Sequence, residues 1–254
     1  MPKPLMAANW KMFKTTSQAL EFFEVFSETL NSAVLNEREV LFLPPFTCLE
    51  TLSDPVRFAG YNLGAQNCYP EAEGAYTGEI APAMLLDLGC GYVLTGHSER
   101  RHILGEADAF VGQKTAFALA QGLRVILCVG ETLEQRKAGQ VESVLQQQLE
   151  AGLREVPNDV SAEALTIAYE PVWAIGTGEV AQDEDISQAH TQVRGLLQER
   201  LAAAADIRIV YGGSVKPANC AQILRLDNVN GVLVGGASLQ AASFADIVSA
   251  GFSD

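Results

Sequence analysis

A glutamate at the end of an apolar run is the residue best placed to do chemistry in this sequence. Glu170 lies just after the apolar run 165–168, and Pro171 follows it at once. Proline ends a strand, and the glycines at 176 and 178 permit backbone angles that other residues avoid. The segment therefore predicts a carboxylate at the root of a loop with an apolar tip. Most glutamates at strand ends are solvated, but one beneath an apolar cover is a general base that works away from water.

A lysine follows the first apolar run of the chain, after Asn9 and Trp10. Lys11 places an ammonium group just beyond a predicted strand end. At ~4 Å and an effective dielectric of ~20, an ammonium–anion pair gains about 4 kcal/mol before desolvation. A lysine considered alone is more often a surface residue, so both interpretations stay open at this point.

A histidine occupies the equivalent position after the fourth run. His97 lies between Gly96 and Ser98, and Ser98 is a suitable residue to cap a following helix. The positive N-terminus of that helix disfavours an imidazolium beside it. A neutral imidazole can donate a hydrogen bond to a carbonyl oxygen. The alternative is a core histidine whose partners are backbone groups.

Paired glycines follow the seventh and eighth runs. The first pair precedes Ser214, and the second pair is Gly235 and Gly236. Glycines let backbone N–H groups approach an anion closely, and two such turns late in a barrel form its usual phosphate site. These segments predict a phosphate-binding cradle.

Eight short apolar runs recur along the chain, and most are continuous rather than alternating. Continuous runs are typical of parallel strands buried on both faces. The runs span residues 5–8, 40–43, 61–65, 92–94, 125–129, 165–168, 207–211 and 232–234. Helical patterns lie between them, at 17–30, 131–153 and 183–204, with shorter ones at 83–88, 107–121, 218–226 and 239–250 and the weakest at 48–52.

The number of these repeats predicts the fold class. About eight strand–helix units in 254 residues are typical of a single closed (β/α)8 barrel, here one α/β domain over residues 1–254. Its active site would lie at the C-terminal ends of the strands. A doubly wound sheet is the competitor, but it usually shows an early GxGxxG fingerprint, and none follows the first run.

Composition narrows the function further. A net charge of −14 argues against nucleic-acid binding, and no apolar run approaches the ~20 residues of a membrane span. The N-terminus does not have the pattern of a signal peptide. Five cysteines without a CxxC pair and three histidines without an HxxxH spacing predict reduced thiols in a cytoplasmic protein and no metal site.

Six segments, in order and over almost the whole chain, resemble the triosephosphate isomerase family. They are Asn-Trp-Lys at 9–11, Gly-Ala-Gln-Asn at 64–67, Gly-His-Ser-Glu-Arg-Arg at 96–101, Tyr-Glu-Pro-Val-Trp-Ala-Ile-Gly-Thr-Gly at 169–178, Tyr-Gly-Gly-Ser at 211–214 and Leu-Val-Gly-Gly at 233–236. The resemblance implies interconversion of dihydroxyacetone phosphate and D-glyceraldehyde 3-phosphate.

The resemblance also implies a role for each matching residue. It makes Glu170 the base, His97 the electrophile and Lys11 the cation at the substrate. Asn9 would help to shape the carbonyl side of the site. The phosphate would be bound by residues of the lid tip and of the two glycine turns: Gly176, Ser214, Gly235 and Gly236.

The chemistry itself needs a base and a hydrogen-bond donor for the enediolate oxygen, but neither a metal nor a redox cofactor. A lid over residues 171–181 would hold water away from the intermediate. The resemblance implies a homodimer in which Thr77, on the loop 74–79, reaches into the site of the partner. No membrane partner is expected.

Two positions depart from the family pattern. Phe13 replaces a usual asparagine in the first loop, which predicts altered packing there, and Glu-Val-Ala at 179–181 replaces a common Lys-Thr-Ala at the trailing lid hinge. Two other functions remain alternatives at this point: a different phosphosugar-processing barrel, and a non-catalytic protein that binds a phosphorylated metabolite.

Overall fold

The computed structural model describes residues 2–175 and 180–252, and within them eight parallel strands close into one barrel. Each strand pairs with the next along the chain, and β8 pairs with β1. This architecture confirms the predicted (β/α)8 fold class. The strands are β1 Leu5–Asn9, β2 Glu39–Leu43, β3 Asn62–Ala65, β4 Tyr92–Thr95, β5 Arg124–Val129, β6 Leu165–Tyr169, β7 Arg208–Tyr211 and β8 Gly231–Val234.

Helices surround the barrel. They are α1 Thr16–Thr29, α2 Phe46–Phe58, α3 Pro82–Asp87, α4 Ser98–His102, α5 Asp108–Ala120, α6 Leu133–Lys137, α7 Val141–Gly152, α8 Asp183–Arg200, α9 Pro217–Ile223 and α10 Ala241–Ser249. Short 3-10 turns occur at Ser32–Asn36, Val172–Ala174 and Gly236–Leu239. Within the described ranges, no helix combines the length and apolar character needed to cross a membrane.

The strands are apolar on both faces because each face is buried in a different core. Along β1, Leu5 and Ala7 pack inside the barrel, whereas Met6 and Ala8 pack outward in the core shared with the helices. All four side chains are fully buried. This double burial explains why the runs in the sequence are continuous rather than alternating.

One predicted helix is wrong. The pattern over 131–153 is interrupted, because α6 ends at Lys137 and α7 begins only at Val141. Gly139 has φ +70°, a left-handed conformation that glycine adopts without strain and that breaks the helical path. Glu131 lies before α6, outside either helix, which leaves its side chain available to the site described below.

Two glycines in helices allow a matched test of packing against helix propensity. A Cβ added to Gly112 in α5 would lie 2.2 Å from the carbonyl oxygen of Ala151 in α7, whereas one added to Gly195 in α8 would meet no atom within 4 Å. Gly112→Ala should therefore lower the free energy of unfolding by about 1–3 kcal/mol through overpacking. Gly195→Ala should raise it by about 0.5–1 kcal/mol, because alanine favours the helix. Urea unfolding measures both; stabilisation by both variants would contradict the close α5–α7 contact.

A buried histidine in α8 makes stability depend on pH. His190 is fully buried, its Nδ1 lies 3.0 Å from the carbonyl oxygen of Asn228, and its ring meets Tyr169 edge-on at 5.9 Å. Burial lowers the pKa of His190 from 6.5 to about 4. Between about pH 6.5 and pH 4, therefore, this imidazole is protonated in the unfolded chain but neutral in the folded chain.

The free energy of unfolding should accordingly fall as the pH drops from 6.5 to 4. The contribution of His190 is about 1.4 kcal/mol per pH unit over this window, because acid favours the unfolded chain. Urea unfolding across this range should show a shallower fall for His190→Gln. The control His102→Gln, which removes an exposed histidine, should keep the slope of the wild type. Equal slopes in all three proteins would contradict the assignment.

Candidate active site

The predicted functional residues meet in one cavity at the C-terminal ends of the strands. The cavity has a volume of about 180 Å³. Residues from β1, β4, β6, β7 and β8, or from the loops that follow them, line it. The sequence-predicted residues in its wall are Asn9, Lys11, His97, Glu170, Ser214, Gly235 and Gly236.

Glu170 is the buried carboxylate of this cavity. It directly follows β6 and is 2% exposed, and its backbone N–H donates to Val129 at 2.8 Å, which continues the β5–β6 ladder. Its Oε2 accepts a hydrogen bond from the backbone N–H of Ser98 at 2.9 Å. Its Oε1 lies 3.1 Å from Nε2 of His97. The carboxylate therefore reaches across the mouth of the barrel from β6 to the loop after β4.

The tautomer of His97 follows from its own hydrogen bonds. His97 is the N-cap of α4, and its Nδ1 accepts from the backbone N–H of Glu99 at 3.3 Å. A nitrogen that accepts a hydrogen bond is unprotonated, so a neutral ring carries its proton on Nε2, the atom that faces Glu170. The prediction that Ser98 caps the helix is wrong: Ser98 is the first residue of α4, and its N–H serves the carboxylate instead.

Lys11 is held in place by its backbone as well as by its side chain. Its φ of 51° is unusual for a residue with a side chain, and its N–H donates to Oδ1 of Asn9 at 2.9 Å. The Nζ donates to Oε1 of Glu99 at 2.6 Å. Gln66 supports the same loop, because its Nε2 donates to the carbonyl oxygens of Lys11 and Leu43, both at 2.8 Å. Sequence reasoning assigned no role to Gln66.

The glycine turns make room beside the reactive side chains. A Cβ on Gly212 would lie 2.9 Å from Cγ of Glu170, and one on Gly235 would lie 3.1 Å from Cε of Lys11. The N–H of Gly212 is already used, since it donates to Tyr169 at 2.8 Å. Glycine is thus needed at 212 for space rather than as an anion donor.

A second buried carboxylate anchors the root of the lid. Glu131 is fully buried, and its side chain accepts from Nε1 of Trp173 at 2.8 Å and from the hydroxyl of Tyr169 at 3.1 Å. Arg136 adds an ion pair at 3.2 Å, and the carbonyl oxygen of Glu131 accepts from the N–H of Val172. The sequence pattern predicted that Glu131 begins a helix. Its position directly after a strand and a glycine indicates instead that it lies at the C-terminal end of the barrel.

A cysteine lies directly against the base. Cys128 on β5 is fully buried, and burial, reinforced by the charge of Glu170, raises the pKa of its thiol well above the usual value. The thiol therefore stays protonated and contributes packing and a weak hydrogen bond rather than a nucleophile. No group of three or more potential metal-ligating side chains is found in the part of the chain that the structure describes.

Several predicted features lie outside this cavity or outside the described residues. Gly176 and Glu179 belong to the undescribed part of the lid, whereas Val180 and Ala181 are described. Thr77 is exposed on the loop after β3 and does not line the cavity of its own chain.

The first loop also presents an apolar surface. Met12 is 94% exposed and Phe13 54% exposed, directly beyond Lys11. Tyr76 on the loop after β3 is 40% exposed. The two loops therefore both offer apolar side chains to solvent.

Comparison with known proteins agrees with this geometry. A family model described as triosephosphate isomerase matches residues 4–251. Proteins named triosephosphate isomerase from Nitratidesulfovibrio vulgaris (strain DSM 19637 / Miyazaki F) and Oleidesulfovibrio alaskensis are 54% and 57% identical over 250 residues, covering 98% of this chain and all of each relative. One from Chloroflexus aurantiacus is 50% identical over 96% of this chain and 98% of its own length. The chain belongs to the triosephosphate isomerase family.

Proposed function

We propose that this chain interconverts dihydroxyacetone phosphate and D-glyceraldehyde 3-phosphate, with Glu170 as the base that moves the proton between carbons. The observation that carries the proposal is the contact of 3.1 Å between the Glu170 carboxylate and Nε2 of His97. Both groups lie in the cavity that also contains Lys11 and the two glycine turns. A base, a donor and a cation around one small cavity are what an enolisation requires.

The reaction proceeds through an enediolate. Glu170 removes a proton from the carbon beside the carbonyl, and the electron pair moves to the carbonyl oxygen. The Nε2–H of His97 donates to that oxygen, and Lys11 stabilises the negative charge that develops there. His97 then gives its Nε2 proton to that oxygen and takes the proton of the adjacent hydroxyl oxygen. Glu170 returns the captured proton to the former carbonyl carbon, so the carbonyl has moved by one carbon and both side chains regain their starting forms. Every step is a proton transfer, so neither a metal nor a redox cofactor is required.

Glu170 has to change partners during this cycle. Its Oε2 accepts a hydrogen bond from the backbone N–H of Ser98, and this bond occupies a lone pair of the base. A carboxylate that accepts a C–H proton must turn toward the substrate and give up this bond. The empty space left by Gly212 beside Cγ of Glu170 allows that rotation.

The substrate phosphate is bound on the opposite side of the cavity. Backbone N–H groups of Ser214, Gly235 and Gly236 are proposed to bind its oxygens, and Gly176 adds a donor when the lid 171–181 closes. Asn9 shapes the carbonyl side, because it fixes the backbone of Lys11. Lid closure removes water, which would otherwise promote loss of phosphate from the enediolate. Glu131 and Trp173 hold the leading hinge in the described conformation.

The active form is proposed to be a cytoplasmic homodimer that binds neither nucleic acid nor membrane. Thr77 is exposed at the tip of its loop, and Met12 and Phe13 offer apolar surface beside Lys11. Association of two copies would bury these side chains and bring Thr77 of one copy to the Lys11 loop of the other. Phe13 in place of asparagine adds apolar area to this contact.

Purified protein should convert D-glyceraldehyde 3-phosphate to dihydroxyacetone phosphate in a coupled assay that contains a chelator and no added nucleotide. The chelator should leave the rate unchanged, because proton transfer uses only side chains. Binding of the triose phosphate without turnover would favour the non-catalytic alternative. Turnover of a different phosphosugar only would favour the other barrel enzyme.

Shortening the base should separate catalysis from binding. Glu170→Asp should lower kcat by about 100-fold, because a displacement of about 1 Å disturbs proton transfer. KM should change far less, since the phosphate contacts are untouched. Steady-state kinetics of this variant and of the control Glu184→Asp, an exposed site on α8, provide the comparison. A normal kcat for Glu170→Asp would remove this residue from the role of base.

The association state has its own test. Sedimentation equilibrium at micromolar concentration should give twice the chain mass of 27.2 kDa. Thr77→Arg should shift the protein toward monomer and lower its activity, because a long charged side chain replaces a contact near the site of the partner. A wild-type protein that sediments only as a monomer, yet is fully active, would overturn the dimer proposal.

A further inference from the structure

A second cavity lies at the opposite end of the barrel from the active site. It has a volume of about 650 Å³ and is formed where the strands begin. Polar residues open several of these strands, and those that line the cavity include Glu39 at the start of β2, Asn62 at the start of β3 and Arg124 at the start of β5. Arg208 at the start of β7 and Arg38 before β2 complete the inner wall.

The carboxylate of Glu39 accepts hydrogen bonds from two of the three arginines. Glu39 accepts from Nη1 of Arg208 at 2.5 Å, from Nη1 of Arg124 at 3.2 Å and from the hydroxyl of Tyr92 at 2.6 Å. Burial alone would raise the pKa of Glu39, but Tyr92 and the two guanidinium groups lower it below its usual value. Glu39 is therefore ionised and balances one of the two positive charges.

Arg38 has a buried donor without a partner. Its Nη2 donates to the carbonyl oxygen of Ala250 at 3.1 Å, but its Nε is buried and meets no acceptor among residues 2–175 and 180–252. Among the described residues the Arg38 side chain thus satisfies only one of its five N–H donors with a hydrogen bond, to Ala250. No carboxylate of the described ranges pairs with this guanidinium within 4.0 Å.

The inner wall thus holds an excess of two positive charges in a protein whose net charge is −14. The other charged groups at the cavity, Lys3, Glu163 and Asp206, are exposed at its rim. Salt screens rim charges more strongly than the partly buried arginines of the wall. The local field therefore attracts anions although the protein as a whole repels them.

We propose that this cavity binds a small organic polyanion whose oxyanion group accepts from Arg38 and Arg124. Guanidinium groups match carboxylate and phosphate oxygens in a bidentate geometry. A volume of about 650 Å³ accommodates a metabolite rather than a single ion. The ligand is a phosphate ester or a polycarboxylate, bound at the end of the barrel where no catalytic residue lies.

Isothermal titration calorimetry with inorganic phosphate and with citrate tests the proposal. The wild type should bind citrate at one site per chain, or phosphate at one site beyond the active site. Arg38→Gln should weaken this binding at least about tenfold. Arg38→Lys, which keeps the positive charge but cannot donate two parallel hydrogen bonds, should weaken it less. The control Arg225→Gln removes an exposed arginine near the same end and should bind as the wild type does.

The two probes distinguish the two ligand chemistries. Extra phosphate binding identifies a phosphate ester, and citrate binding alone identifies a polycarboxylate. All variants should keep kcat/KM within about twofold of the wild type, which shows that the barrel is folded. If the wild type binds neither probe outside the active site, or if both Arg38 variants titrate as the wild type does, the proposal is wrong.

Discussion

The hydrogen bond from the backbone of Ser98 to the Glu170 carboxylate is the contact on which the site depends. It joins the loop after β4 to the end of β6, across the intervening β5. Because β5 pairs in parallel with both neighbours, the ends of β4 and β6 meet at the same edge of the sheet, and the two groups approach within 2.9 Å. The same contact places the carboxylate against Nε2 of His97, so base and donor are positioned together.

Two buried carboxylates near the mouth of the barrel illustrate how partners decide function. Glu131 is saturated by Tyr169, Trp173 and Arg136, and it serves to fix the hinge. Glu170 has one backbone donor and one histidine, and one side of it faces the cavity. Releasing Glu170 for chemistry breaks two hydrogen bonds, one of them to the histidine that itself turns to the substrate, whereas releasing Glu131 would break three interactions at once. The less satisfied of the two is therefore suited to be the base.

Local patterns in the sequence predicted most of the fold. Runs such as 125–129 are continuous because both faces of each strand are buried. Such a run can be recognised in the sequence without knowing which residues it contacts. The break at Gly139 was missed, since glycine is tolerated inside a helix and only the path of the chain shows the turn. Glu170, His97 and Lys11 could be proposed because each follows a strand. Gln66 and the partners of Glu131 could not, because their roles consist of contacts between distant segments.

The central claim is that Glu170 removes a proton from carbon, and isomerisation in D2O tests it most directly. Proton NMR of the product should show deuterium at the carbon next to the carbonyl, because a carboxylate exchanges its captured proton with solvent before returning it. Glu170→Gln should lose this exchange while the protein still binds phosphate. Turnover at the wild-type rate by Glu170→Gln would contradict the account, since it would mean that another group removes the proton from carbon.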